Sequence, residues 1–241
     1  MITSVGNEYI KKIVKLKDIK NIKEVGKYLI EGEHLVKEAL KNNLLIEIIT
    51  TDENMLNETI KSTLVSSEVM KKISNLKSIP KVVGVCKTFE TKDIKGNRIL
   101  ILDNILDPGN LGTIIRCCSA FNIDTIIMGD DCVSVYNDKV LRSTQGLHFY
   151  QNIVRDNLID AIPKLKDEGY DILVTSVNNG EDIRRVKPSK FALVVGNEGQ
   201  GVKSDIMTMA SKLVNIKMNK QCESLNVAIA TAICLYELDN G

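Results

Sequence analysis

Five short runs of apolar residues, separated by helical patterns, place the strongest constraint on the fold of this chain. Each run is continuous in apolar residues rather than alternating with polar ones, which is typical of strands buried on both faces of a sheet. Their alternation with helices predicts an α/β domain, a parallel sheet covered on both sides. Ligands of such sheets bind at the carboxyl ends of the strands, so chemistry is expected in the loops there. The runs are RILILD, DTIIMG, DILVTSV, FALVVG and LVNIKM.

Three helical patterns accompany these strands. Residues 113–121 place apolar side chains on one face of a helix. Residues 158–168 form a second pattern, and we expect Pro163 to shorten the start of that helix. The third pattern covers residues 224–238 and predicts one apolar stripe along the helix. That stripe consists of Leu225, Ala228, Ile229, Ala232 and Tyr236.

The first 90 residues indicate a separate small α/β domain. Short apolar runs alternate there with helical patterns, including residues 33–41 and 66–76. The polar stretch TFETKDIKGNR follows, so we place a boundary near residues 88–98, with domains at 1–90 and 98–241. The first 90 residues hold 15 Lys and no Arg against 12 acidic residues, net +3. Their lysines fit either an anion-binding helix face or a solvated surface helix.

The composition excludes several classes of protein. A chain of 241 residues that is 44% hydrophobic and 26% charged can form a folded core. Its only histidines, His34 and His148, are far apart, which excludes an HExxH metalloprotease and a His-rich metal site. The six cysteines contain no CxxC pair, so we expect them to be reduced and mostly buried. No membrane-length apolar run or signal-peptide pattern is found, which predicts a cytoplasmic protein.

The loop after the first predicted strand, LDNILDPGNLGTIIRCCSAF, is the first that carries candidate functional residues. Asp107, Pro108 and Gly109 form a turn signal, and we expect Asn110 to cap a helix that begins at Leu111 or Gly112. Arg116 would lie on the polar side of that helix. A helix N-terminus with a nearby guanidinium suits a phosphate, although a capped helix with a surface arginine explains these residues equally well.

Two later loops carry further candidates. The strand FALVVG ends in GNEGQG, whose glycines allow the backbone to approach a ligand closely. A sharp surface turn with a solvated Glu198 is the alternative explanation of the same segment. The loop matches neither GxGxxG nor GxxxxGK[ST], which argues against a nicotinamide or ATP site. After LVNIKM, we expect Ser224 to cap the last helix and Asn226 to direct its amide from the first turn back to the loop.

Taken together and in this order, the three loop segments resemble the signature motifs of the SpoU, or TrmH-type, RNA ribose 2′-O-methyltransferases of the SPOUT superfamily. The resemblance covers about residues 98–241. The leading segment resembles the small RNA-binding domain that precedes the catalytic domain in many members. KVLRSTQGLHF resembles the family's Arg-Ser-x-x-Gly stretch, at Arg142, Ser143 and Gly146. One departure is Lys217, where the family's third motif usually reads Ile-Pro-Met.

The resemblance implies a trefoil-knotted α/β domain that binds S-adenosylmethionine without a metal, acts on RNA, and forms a homodimer. The implied cofactor-binding residues are Thr175, Ser176, Gly196, Gly199, Ile216, Met218 and Leu225. The implied polar catalytic residues are Asn110, Arg116, Glu198, Ser224 and Asn226. The candidate RNA-binding residues are Lys11, Lys12, Lys15 and Arg142.

We expect Arg116 to bind a backbone phosphate of the RNA rather than accept a proton, because a guanidinium stays protonated near neutral pH. Two other classes of function are alternatives to an RNA methyltransferase. A catalytically silent RNA-binding or ribosome-assembly protein would be favoured by loss of the polar set, which is present. A nucleotide-dependent oxidoreductase would need a glycine fingerprint near the first strand, which is absent. Ribosomal RNA is favoured over transfer RNA by analogy with the leading domain, and a role in antibiotic resistance stays open.

Overall fold

The computed structural model describes residues 1–89, 91, 93–197, 199–219 and 221–239. It divides into two compact units. Unit 1 consists of Met1–Phe89 and Ser134–Phe149, and unit 2 consists of Glu90–Val133 and Tyr150–Gly241. The chain therefore passes between the units at three points. The segment Ser134–Phe149 belongs to unit 1, whereas the sequence analysis had included it in the second domain.

The leading part of unit 1 is a four-stranded sheet with helices. The strand order is β1-β4-β2-β3, and only the β2–β3 pair is parallel. The third helix has the bounds that the apolar spacing predicted, and the fourth ends three residues early. The elements are α1 (Glu8–Lys15), α2 (Ile19–Val25), β1 (Lys27–Glu31), α3 (Glu33–Lys41), β2 (Leu45–Thr50), β3 (Lys61–Leu64), α4 (Ser67–Ile73) and β4 (Val82–Lys87).

The rest of the chain contains a seven-stranded sheet in which every strand pair is parallel. The order is β7-β6-β5-β10-β8-β11-β9. The predicted α/β class is confirmed, although β7 and β9 were not foreseen. The elements are β5 (Arg98–Leu102), α5 (Pro108–Ala120), β6 (Thr125–Met128), α6 (Asp138–Ser143, in unit 1), β7 (Asn152–Arg155), α7 (Leu158–Asp167), β8 (Asp171–Thr175), β9 (Glu181–Asp182), β10 (Phe191–Val195), α8 (Ser204–Thr208), β11 (Lys212–Asn215) and α9 (Val227–Asp239).

The starts of α5 and α7 differ from the prediction. The first helix of unit 2, α5, begins at Pro108, and the side chain of Asp107 caps it by accepting the N–H of Asn110 at 2.8 Å. Proline favours the first helical position because its missing N–H is not needed there. The cap is therefore the residue before Pro108, Asp107, which is three residues before the predicted cap Asn110. Pro163 lies inside α7 and does not shorten its start. Its absent N–H removes one hydrogen bond, while Ile162 and Leu165 bury that helix face.

The returning segment completes an aromatic cluster in the core of unit 1. It supplies Tyr136 and His148, which pack with Tyr28 and Phe89. The rings of Tyr28 and Tyr136 are 5.0 Å apart, and those of Phe89 and His148 are 5.1 Å apart. The Nδ1 atom of His148 lies 2.6 Å from the hydroxyl of Thr144, and burial lowers the pKa of this histidine to about 3. A neutral, packed histidine is therefore part of this core.

Candidate active site

Three loops at the carboxyl ends of β8, β10 and β11 border one cleft of about 1150 Å³ in unit 2. The residues that border it are 175–178, 195–197, 199–202, 214–219 and 222–225, with contributions from α8 and α9. Parallel strands end at the same edge of a sheet, so loops far apart in sequence meet there. All seven residues that the resemblance implied for the cofactor border this cleft, namely Thr175, Ser176, Gly196, Gly199, Ile216, Met218 and Leu225. Their role in binding stays a prediction.

The glycine-rich loop after β10 is a tight turn. A Cβ atom on Gly196 would lie 2.3 Å from the carbonyl carbon of Gly201, and Gly201 itself has a φ of +70°. Asn197 stabilises the turn, because its side-chain oxygen accepts the N–H of Gly199 at 2.8 Å. Only glycine fits the first of these positions without a shift of the backbone. The predicted catalytic residue Glu198 lies outside the described residues.

Asn226 joins the first and third motifs. Its side-chain oxygen accepts the N–H groups of Ala228 at 3.0 Å and Ile229 at 3.3 Å, so it caps α9. Its amide nitrogen donates to the side-chain oxygen of Asn110 at 3.0 Å. Asn226, and not Ser224, is therefore the cap, because its amide can reach both N–H groups of the first turn while it binds Asn110. Ser224 is exposed in the loop that borders the cleft.

Asn110 and Arg116 share α5. Because Asp107 caps this helix, Asn110 lies in its first turn and its side chain meets Asn226 instead of the helix end. Arg116 is exposed on the same helix, as expected for a residue that binds a ligand from solvent. The structure thus brings Asn110 and Asn226 into contact and places Arg116 on the helix that carries one of them.

The cleft suits a nucleoside-like cofactor. Its walls include the apolar side chains of Val195, Ile216, Met218 and Leu225. Within the described part of the chain, the backbone N–H groups of the last three donate to no carbonyl. Apolar walls can enclose a planar base, and unsatisfied backbone groups can hydrogen-bond its ring edge. The residues therefore fit S-adenosylmethionine.

Lys217, which stands where the family motif has proline, lies in the loop after β11 and forms an ion pair with a residue of β9. Its Nζ lies 3.8 Å from a carboxylate oxygen of Asp182, whose side chain is only 5% exposed. Arg184 binds the same carboxylate at 2.6 Å, and this hydrogen bond holds the pKa of Asp182 well below its usual range. The loop between Ile216 and Met218 is thus attached to β9 by charge.

The candidate RNA-binding residues all lie in unit 1. Lys11, Lys12 and Lys15 are exposed on α1, and Lys11 pairs with Glu8 at 2.6 Å. Arg142, on α6, pairs with Asp138 at 2.6 Å. These residues are therefore not part of the cleft of unit 2.

Several residues that border the cleft were not among the site residues expected from the sequence. Asn197 shapes the glycine-rich turn, and its position inside the quoted GNEGQG motif was the available signal. Met207 lies on α8, and the others follow the predicted strands directly or lie in the same motifs. They include Val177, Asn178, Gln200, Gly201, Val202, Met207, Asn215, Lys217, Asn219 and Cys222.

The described part of the chain has neither a metal-binding cluster nor a membrane-spanning helix. No group of three or more His, Cys, Asp and Glu side chains there could hold a metal ion. Among the helices of the same residues, none has the length and apolar character needed to cross a membrane. All six cysteines are free, and Cys86, Cys118, Cys132 and Cys234 are buried.

Comparisons with known proteins agree with this geometry. The profile of the SpoU rRNA methylase family matches residues 97–236, and that of the MRM3-like substrate binding domain matches residues 7–84. The 23S rRNA (guanosine(2553)-2′-O)-methyltransferase RlmP of Bacillus subtilis is 36% identical over 98% of each chain. The AdoMet-bound rRNA methyltransferase from Sinorhizobium meliloti superposes with a TM-score of 0.89 at 27% identity, covering 99% of this chain and 97% of the other.

The match to the family profile, together with the parallel α/β sheet and its cleft, identifies an RNA methyltransferase of the SPOUT type that uses S-adenosylmethionine. More narrowly, the chain belongs to the SpoU rRNA methylase family. The resemblance expected from the three motifs is confirmed, as are the enzyme class and the cofactor that it implied.

Proposed function

We propose that this chain methylates the ribose 2′-hydroxyl of one guanosine in 23S ribosomal RNA, at the position that corresponds to guanosine 2553 of the Bacillus subtilis relative. The similarity of 36% over nearly the whole of both chains supports the choice of nucleotide. The observation that carries the site is the hydrogen bond between Asn226 and Asn110, which joins the loop bordering the cleft to the helix of Arg116.

The cofactor, when bound, supplies a methyl group activated by a sulfonium. A 2′-hydroxyl is a weak nucleophile, so its alignment is the main requirement, and positioning can contribute roughly 7 to 11 kcal/mol. Asn110 and Asn226 form a fixed polar pair that can hold the ribose beside the cleft. Ser224 adds an exposed hydroxyl at the border of the cleft.

Arg116 binds the phosphate next to the target ribose. A guanidinium fork matches two phosphate oxygens and keeps its charge at every physiological pH. In this position it also stabilises negative charge that develops on the 2′-oxygen. Both histidines of the chain, His34 and His148, belong to unit 1, so unit 2 contains no imidazole. We infer that the proton passes to an RNA phosphate or to water.

The assembly that fits this site is a homodimer formed through α9. Two large apolar side chains of that helix are exposed, Ile229 by 54% and Tyr236 by 55%. The ring of Tyr236 packs 6.0 Å from that of Phe121. Exposed apolar patches of this kind mark protein interfaces. The family resemblance also supports a trefoil-knotted cofactor domain and a cytoplasmic protein.

The exposed lysines of α1 would supply general attraction for RNA in unit 1. Lys11, Lys12 and Lys15 can neutralise phosphates without reading the sequence, and the match of residues 7–84 to a substrate-binding domain supports this role. Arg142 is a further candidate on α6, where Asp138 orients its guanidinium.

Substitution of Arg116 by alanine tests the proposed reaction. We expect kcat to fall by about a hundredfold or more, as for loss of other groups that stabilise developing charge, with cofactor affinity nearly unchanged. The measurements are methylation of ribosomal RNA, mapped by nucleotide, and calorimetric titration with S-adenosylmethionine. Arg185→Ala, which removes another exposed arginine of unit 2, is the control.

Three outcomes would count against the proposal. Equal loss of methylation and cofactor binding in Arg116→Ala would remove the role of this arginine. Methylation of transfer RNA, or of another ribosomal nucleotide, would remove the proposed target. RNA binding without any methyl transfer by the wild-type chain would favour the silent RNA-binding protein.

A further inference from the structure

A buried carboxylate that the proposed reaction does not use lies at the end of β5. The side chain of Asp103 is 2% exposed. One of its oxygens accepts the backbone N–H of Lys203 at 2.8 Å, and the other lies 3.6 Å from the Nζ of the same lysine. Burying a charged group is costly unless partners satisfy it, so Lys203 stabilises Asp103 through both its backbone and its side chain.

Lys203 directly follows the glycine-rich loop that borders the cofactor cleft. Its Nζ has a second partner, the carboxylate of Asp131, at 2.6 Å. The hydrogen bond with Asp131 contributes most to a raised pKa of Lys203, which keeps the lysine charged. The ammonium thus bridges the end of β5 and the loop after β6.

The loop after β6 is itself firmly attached. The guanidinium of Arg155, at the end of β7, donates to four of its backbone carbonyls at 3.0 to 3.3 Å, those of Gly129, Asp130, Cys132 and Val133. Asp131 lies between these residues, so its carboxylate is presented to Lys203 by a fixed backbone.

The other end of the glycine-rich loop is attached to the same segment. The amide nitrogen of Asn197 donates to the carbonyl of Asn104 at 3.1 Å, one residue after Asp103. Both ends of residues 197–203 are therefore tied to residues 103–104. The same segment leads into α5, which carries Asn110.

We propose that Asp103 and Lys203 form a positioning pair that holds the glycine-rich loop in its cofactor-binding conformation, so that the affinity for S-adenosylmethionine depends on this ion pair. The inference rests on the proposed cofactor cleft. Neither residue contacts the reacting groups in this scheme, and both act through the loop. Loss of the lysine charge leaves the buried carboxylate of Asp103 without its cation, and loss of the carboxylate charge leaves Lys203 paired only with Asp131. In either case the loop is less firmly held and opens more often.

Two substitutions remove the pair without removing the backbone hydrogen bond. Lys203→Met keeps the length of the side chain, and Asp103→Asn keeps an acceptor for the N–H of Lys203. We expect either to weaken binding of S-adenosylmethionine by about fivefold or more in calorimetry. The matched control is Lys212→Met, since Lys212 is 52% exposed against 51% for Lys203 and also pairs with a carboxylate, that of Glu181 at 3.1 Å. The control should stay within about twofold of wild type.

Amide hydrogen exchange supplies a second readout. The N–H groups of Gly199 and Gly201 are hydrogen-bonded to Asn197, and we expect both to exchange faster in Lys203→Met and Asp103→Asn than in the control. Lower melting temperatures with unchanged cofactor affinity and unchanged exchange would show a purely structural pair and overturn the inference. If Asp103→Asn does not fold, Lys203→Met decides. If the wild-type chain binds no S-adenosylmethionine, the proposed cleft fails, and exchange alone decides whether the pair holds the loop.

Discussion

One asparagine side chain performs two tasks at the candidate active site. The oxygen of Asn226 accepts N–H groups at the start of α9, while its nitrogen donates to Asn110. The first task contributes to helix stability, and the second connects two motifs that are 116 residues apart. An amide is suited to both because it carries an acceptor and a donor on one short side chain.

Replacing Asn226 by aspartate separates the two tasks. Aspartate caps helices as well as asparagine, so we expect stability to change little, but a carboxylate cannot donate to Asn110 and methylation should fall at least tenfold. Asn226→Ala should lose activity and about 1 kcal/mol of stability. Urea unfolding and single-turnover methylation provide the two measurements.

The control for this substitution is Asn157→Asp at the start of α7, where the side chain caps through the N–H of Ile159 at 2.9 Å. It should leave methylation unchanged. Full activity of Asn226→Asp would show that the bond to Asn110 has no part in the reaction.

The buried His148 predicts how stability depends on pH. Burial lowers its pKa from 6.5 to about 3, so below pH 6.5 the unfolded chain binds a proton that the folded chain does not. Stability should therefore fall as the pH falls from 6.5 towards 3, by up to about 1.4 kcal/mol for each unit of pH. His148→Asn, which can keep a bond to Thr144, should show a smaller slope in urea unfolding at a series of pH values.

At the level of elements, the face of α9 that is buried differs from the apolar stripe that its sequence predicts. The buried face consists of Val227, Ala228, Thr231, Cys234, Leu235 and Leu238. The stripe expected from spacing included Ile229 and Tyr236, which are exposed. The predicted stripe is therefore not the face that meets the core. The helix is apolar on nearly all sides, so periodicity does not distinguish that face. An apolar exposed face is what a subunit interface requires.

Charged side chains introduced on the exposed apolar face of α9 should dissociate the proposed dimer. We expect Ile229→Glu together with Tyr236→Glu to give a folded monomer in sedimentation equilibrium, because a charged side chain is costly to bury at an interface. Ile159→Glu introduces the same charge at a side chain that is 43% exposed on α7, and it should stay dimeric. A wild-type monomer, or a dimeric double variant, would contradict an interface at α9.

Much of the fold and part of the site could be predicted from the sequence. The long apolar runs identified five strands of the parallel sheet. Two strands were missed because β9 has only two residues and β7, with the sequence NIVR, has only two adjacent apolar residues between polar ones. Both helix caps of the site were assigned to the wrong residue. Each segment offers two residues that can cap, Asp107 or Asn110 and Ser224 or Asn226, and the tertiary bond between the asparagines cannot be read from local sequence. The pair of Asp103 and Lys203 lies 100 residues apart and has no local signal.

At the level of the whole molecule, unit 1 is built from two separate stretches of chain. The first contributes Tyr28, which is fully buried, and the second contributes Tyr136 and His148 around it. Gly146 of the second stretch also packs against Glu38 on α3. The core of unit 1 is therefore incomplete without residues 134–149.

A fragment of residues 1–90 should not form the native core of unit 1. We expect it to lack the near-ultraviolet circular dichroism of packed tyrosines and to bind a hydrophobic dye, because the side chains that pack on Tyr28 from residues 134–149 are missing. The same fragment joined to residues 134–149 by a flexible linker should regain the signal and unfold cooperatively. Cooperative unfolding of the shorter fragment alone would contradict this prediction.

The three passages of the chain between the units also bear on how such a protein can change during evolution. A domain joined by one linker can be exchanged between genes by a single recombination event. Here, an exchange limited to the first 89 residues would leave Ser134–Phe149 of the original gene to pack with a leading segment from another gene. A new substrate-binding unit can be acquired only with a second, internal exchange, or with compensating changes around Tyr136 and His148. The two units are therefore expected to be inherited together and to diversify by point substitution.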